Sequence, residues 1–91
     1  MTFEKEIREL FELSMQVLEE TDHHVKFDVD EHMCNVYIMH NGFRAGGKYD
    51  GIYSLFNDAM LRVESKTNYA NAKVHLLRLL EKETEDEKDG D

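Results

Sequence analysis

Two short runs of alternating residues constrain this chain more than any other feature. Val25, Phe27 and Val29 alternate with Lys26, Asp28 and Asp30, and Cys34, Val36 and Ile38 alternate with Asn35, Tyr37 and Met39. A period of two marks a half-buried strand. An even-length turn centred on Glu31-His32 places Val29 opposite Cys34, Phe27 opposite Val36 and Val25 opposite Ile38. Every apolar residue then lies on one face, and a slip of one residue would move them to the other. Residues 23–40 are therefore a predicted β-hairpin, with His23 opposite His40 at its open end.

A two-stranded sheet is marginal alone and needs a cover. Residues 3–20 supply one. Phe3, Ile7, Leu10, Phe11, Ser14, Val17 and Leu18 follow the spacing of one helical face. Thr2 is placed to cap this helix, and Glu4 and Glu6 suit the positive end of its dipole. Four of the five glycines fall within residues 41–51, NGFRAGGKYDG, which reads as a loop with room for a short third strand around Phe43. Residues 51–65 carry Ile52, Leu55, Phe56, Ala59, Met60 and Val63 at helical spacing behind Asp50, a natural cap, and predict a second helix. The run Ser65-Lys66-Thr67-Asn68 breaks that pattern, and residues 69–83 predict a third helix. Its apolar set, Tyr69, Ala72, Val74, Leu76, Leu77, Leu79 and Leu80, covers more than one stripe, as in a helix that is central or shared with a partner.

The expected fold is α+β, order α-β-β-α-α: an N-terminal helix packed on a β-hairpin, followed by two C-terminal helices. Residues 1–80 form the expected compact domain. Residues 81–91, EKETEDEKDGD, hold no apolar side chain and are expected to form a disordered acidic tail.

Charge is distributed unevenly. Residues 1–31 hold ten acids and three bases, residues 32–80 three acids and six bases, and residues 81–91 seven acids and two bases. The total of −9 speaks against direct nucleic-acid binding, which needs surplus Lys and Arg, and against docking on an anionic membrane. No apolar run approaches the roughly 20 residues of a membrane span, and the first residues form no apolar signal region. The single Cys34 has no disulfide partner, which suits a reducing, cytoplasmic setting.

Several constellations are candidate sites. His23, His24, His32, Cys34 and His40 fall close together in sequence, but the hairpin separates its turn from its open end by about 20 Å. Only His23 and His40 come together, and neither CxxC nor HExxH is present, so no metal and no cofactor are expected. Cys34 falls on the core face, where a thiol is a small hydrophobe, and no nucleophile is set beside a base. A catalytic function is therefore not expected.

The remaining feature is the acidic first third of the chain. It predicts a non-enzymatic protein–protein interaction module, an inhibitor or regulator that occupies a basic, nucleic-acid-handling surface of a partner protein. Glu9, Glu12, Asp28, Asp30 and Glu31 are the expected acidic face, with Tyr37 as an aromatic anchor. Small size, acidic surplus and a lone thiol give the chain the general look of phage and mobile-element accessory proteins, although no family motif is present. Two other readings stay open. The loop 41–51, with Phe43, Arg44, Lys48 and Tyr49, could hold an anion or nucleotide or act as a protein-binding hot spot. The apolar surplus of helix 69–83 could build a homodimer, and the hairpin could leave an edge that pairs across it.

Overall fold

The computed structural model describes residues 2–57 and 62–89, with side chains described as far as residue 81. The elements are α1 (Glu4–Glu20), β1 (His24–Val29), β2 (Met33–Met39), β3 (Gly51–Phe56) and α2 (Arg62–Asp89). The three strands form one antiparallel sheet in the order β1-β2-β3. The hairpin has the register its alternation predicts: Val29 faces Cys34, Phe27 faces Val36 and Val25 faces Ile38.

The expected order α-β-β-α-α is corrected to α-β-β-β-α, a small α+β fold with two helices and three strands. Residues 51–56, expected to open a second helix, pair with β2 instead: Ile38 faces Gly51, Val36 faces Tyr53 and Cys34 faces Leu55. The third strand lies there and not around Phe43, which sits in the loop. The physical reason is the free edge that β2 presents. Its even-numbered residues face β3, and GIYSLF supplies Tyr53 and Leu55 to the inner face at period two. Leu55 is fully buried, whereas Ile52 is exposed on the opposite face. The two expected C-terminal helices are one. Ala59 and Met60 of the expected helix lie outside the described residues, as do residues 90–91 and the side chains of the acidic segment beyond residue 81.

Both helices lie on one face of the sheet, α1 against β1 and α2 against β3, and they also touch each other. Leu10, Val17, Val36, Ile38, Cys34, Leu55 and Leu76 are fully buried between the layers. The expected caps serve other purposes. Thr2 Oγ1 donates to the Asn57 carbonyl at 3.2 Å, and α1 begins without a side-chain cap. Asp50 accepts the His40 amide at 2.6 Å, which closes the ends of loop 40–50.

The run 65–68, expected to break a helix, lies inside α2 and seals the outer edge of β3. Ser65 Oγ accepts the Phe56 amide at 2.8 Å, and Asn68 Nδ2 donates to the Ser54 carbonyl at 2.8 Å. The amides and carbonyls of residues 52, 54 and 56 point away from β2, so a helix side chain supplies what a fourth strand otherwise would. Ser65→Ala is expected to lower stability by about 1–3 kcal/mol, because it strands a partly buried amide. Urea unfolding followed by circular dichroism measures this.

Candidate interaction surface

Among the described residues, the sheet face opposite the helices carries no second layer. Register places Lys26, Tyr37 and Ile52 in one row across this outer face, and Asp28, Asn35 and Ser54 in the next. Ser54 Oγ donates to Asn35 Oδ1 at 2.6 Å. Lys26 Nζ lies 5.4 Å from the centre of the Tyr37 ring and 3.6 Å from Asp28 Oδ2.

The glycine-rich loop returns across one end of this face. Asn41 (φ 65°) and Gly42 (φ 99°) both take the left-handed backbone that turns the chain back over the strands. Met39 is thereby buried, with its Sδ accepting the Arg44 amide at 3.1 Å. Phe43 packs on His24 with ring centres 5.2 Å apart, yet stays 62 % exposed. Tyr49 packs on Tyr37 at 5.2 Å. Tyr37, Tyr49, Phe43 and Ile52 thus form an aromatic and apolar strip on an uncovered sheet.

The residues expected to form one acidic face divide between the two sides of the sheet. Asp28, Asp30 and Glu31 stand on the hairpin with Tyr37. Asp30 is also structural: its Oδ1 accepts the His32 and Met33 amides at 2.7 and 2.9 Å, and these bonds hold its carboxyl below its ordinary range. Glu31 is exposed at the tip, 3.6 Å from the His32 ring. Glu9 and Glu12 ride on α1, on the other side. Glu12 is exposed. Glu9 binds Lys73 at 2.7 Å and accepts the Tyr69 hydroxyl at 2.8 Å, so it clamps α1 to α2. Lys73 and then Tyr69 hold its carboxyl low.

Of the loop's two cations, Arg44 is partly tied to its own loop. The Arg44 guanidinium donates to the carbonyls of His40 at 2.6 Å and Gly42 at 3.3 Å. Lys48 is exposed, and Phe43 and Tyr49 belong to the outer-face strip.

His23 and His40 do meet, with ring centres 5.5 Å apart. Sequence reading missed their neighbour His75. Its Nε2 lies 2.8 Å from His40 Nε2, and its Nδ1 lies 2.8 Å from the Tyr53 hydroxyl. The signal was present: Ala72, His75, Leu76 and Leu79 fall on one helical stripe, which is the buried one. Asp50 Oδ1 lies 3.9 Å from His40 Nδ1. We assign the His40 proton to Nδ1, facing that carboxylate. His75 Nε2–H then donates to His40 and its Nδ1 accepts from Tyr53, so both His75 nitrogens are hydrogen-bonded while His40 Nδ1 faces the Asp50 carboxylate. Burial, and then His40, holds the His75 pKa below its ordinary value. A Cβ on Gly51 would stand 2.8 Å from His75 Nδ1, which is why β3 starts on a glycine.

Among the described residues, no group of three or more His, Cys, Asp or Glu is arranged to hold a metal ion. Cys34 is fully buried, and burial together with the Asp28 charge pushes its thiol up to about 12. Such a thiol is no nucleophile at neutral pH. No described helix is long and apolar enough to cross a membrane. Comparison of the chain with protein-family models, curated proteins and solved structures finds no match.

Proposed function

We propose that this chain is a non-enzymatic protein–protein interaction module that docks through its outer sheet face. Its partner is a protein with a basic surface of the kind that handles nucleic acid, and the module inhibits or regulates by occupying that surface. One observation carries the reading. The outer sheet face carries half-buried Tyr37 and Tyr49 with exposed Phe43 and Ile52, and on the same hairpin the carboxylates of Asp28, in the row next to Tyr37, and of Asp30 and Glu31 at the turn. Tyrosine anchors within a charged rim are what binding hot spots use, and the acidic rim speeds encounter with a basic partner.

The test is capture of a basic partner, identified by mass spectrometry, followed by affinity measurement with the purified pair. The variant of choice is Asp28→Lys with Glu31→Lys, which leaves the turn-forming Asp30 in place. The double variant is expected to bind about tenfold or more weakly at low salt, with the difference shrinking as salt rises. Tyr37→Ala is expected to weaken binding at every salt concentration. Affinity unchanged in both variants would overturn the reading.

A further inference from the structure

The two edges of the sheet are treated differently. The β3 edge is closed by Ser65 and Asn68 of α2. Among the described residues, no strand or side chain closes the β1 edge. The Asp30 amide bonds the Met33 carbonyl, and His24 faces Met39 in the same register. The even-numbered residues of β1 therefore bond β2, and the amides and carbonyls of Val25, Phe27 and Val29 point outward. No proline, which would guard such an edge, occurs in the sequence.

The helical layer follows the same asymmetry. Above β1, Val29 is 48 % exposed, and α1 presents Phe11, Met15 and Leu18 at 48, 40 and 43 %. Their spacing of four and three puts them on one flank of α1, and Phe11 packs on Phe27 with ring centres 5.5 Å apart. An unpaired strand edge and an apolar helix flank thus lie side by side.

We infer that this edge binds a second copy of the chain, with β1 pairing antiparallel to its counterpart about a two-fold axis through Phe27. The charges select both the partner and the register. The outward amides allow three registers that use at least two of Val25, Phe27 and Val29. With Val25 opposite Phe27, the axis sets Lys26 against Lys26. With Phe27 opposite Val29, it sets Asp28 against Asp28. With Phe27 opposite itself, Lys26 of each copy faces Asp28 of the other, His24 faces Asp30, and Val25 faces Val29. Opposite charges across strands stabilise and like charges oppose. Only the last register is complementary throughout, and it completes about six backbone hydrogen bonds. The axis runs perpendicular to the sheet, so both α1 helices stay on one face, antiparallel and side by side. Their separation can then match the usual 8–10 Å or so of packed helices, with Phe11, Met15 and Leu18 between them. The product is a continuous six-stranded sheet with its outer face still free. The Met15 arm of the test is independent of the outer-face reading, because Met15 lies on the opposite side of the sheet, and self-association is read without any partner protein.

Sedimentation equilibrium of the full chain over a dilution series tests this. The wild type is expected to form a dimer as concentration rises. Met15→Glu is expected to abolish it while leaving the far-ultraviolet spectrum unchanged. Lys26→Asp and Asp28→Lys are each expected to weaken the dimer about tenfold or more, since each sets like charges against one another twice across the axis. Mixed together, these two variants are expected to recover the wild-type affinity as a heterodimer, because each supplies the charge the other needs. The pairing of Lys26 with Asp28 within one chain cannot be rescued by mixing. A wild type that stays monomeric overturns the inference. So does a dimer indifferent to Met15→Glu, a mixture no tighter than its components, or a dimer that only Leu77→Glu dissolves, which would place the contact on residues 69–83.

Discussion

Leu76→Ala is expected to lower the unfolding free energy by about 2–5 kcal/mol, a large share of the roughly 5–15 kcal/mol that a small domain has. Leu76 is fully buried and belongs to the cluster that joins α2 to α1 and the inner sheet face. The loss combines removed apolar burial with a cavity that the neighbours fill only in part. Leu77→Ala is expected to cost less than about 1 kcal/mol, since Leu77 is 38 % exposed. Urea unfolding of the two variants compares adjacent leucines that composition alone cannot separate. Equal losses would mean that α2 turns a different stripe inward.

That comparison bears on what could be read from sequence. The hairpin was legible because its register is fixed within fifteen residues or so by its own apolar parity. The third strand was not. Ile52, Leu55 and Phe56 continue into Ala59, Met60 and Val63 with helical spacing, and the same stretch supplies Tyr53 and Leu55 at period two. Local pattern cannot choose between these, and the unpaired edge of β2, distant in sequence, decides. Ser65 and Asn68 looked like breakers because they are polar and poor helix formers. They face β3 and bond its edge, a role set by tertiary contact.

The candidate surface shows the same division. Strand parity puts Asp28 and Tyr37 on the outer face, as the alternation requires. Glu9 looked equally free, but its partners Lys73 and Tyr69 are some sixty residues away. Nothing local to Glu9 marks it as a clamp. Phe43 and Tyr49 reach the outer face only because Asn41 and Gly42 reverse the chain. His75 was legible from its helical stripe, although its partners were not.

The histidine pair makes the second large effect one of pH. His40 and His75 share a contact of 2.8 Å between Nε2 atoms, which accommodates one proton and not two. Charging both rings sets two N–H groups against each other and removes the acceptor that holds the pair together. Tyr53 and Asp50 face the pair from β3 and the loop, His23 from the start of β1, and Arg78 adds a like charge on α2. The folded chain therefore holds His75 neutral, with a pKa below the ordinary 6.5. Below pH 6.5 the unfolded chain takes up this proton more readily than the folded one. The stabilisation is thus complete above that value and declines as pH falls towards the folded pKa, by up to about 1.4 kcal/mol per pH unit for one proton. This window lies above the range where Glu9, Asp30 and Asp50 titrate, since their carboxyls are held below ordinary values of 4.5, 3.8 and 3.8. Thermal melts between pH 7.5 and pH 5 or so are expected to show the decline in the wild type. His75→Gln, which keeps a hydrogen-bonding side chain but does not titrate, is expected to flatten it while lowering stability at neutral pH. A His75→Gln profile as steep as the wild type's would assign the acid sensitivity to another group. A flat wild-type profile would mean that His75 gains no protection from its proton by folding.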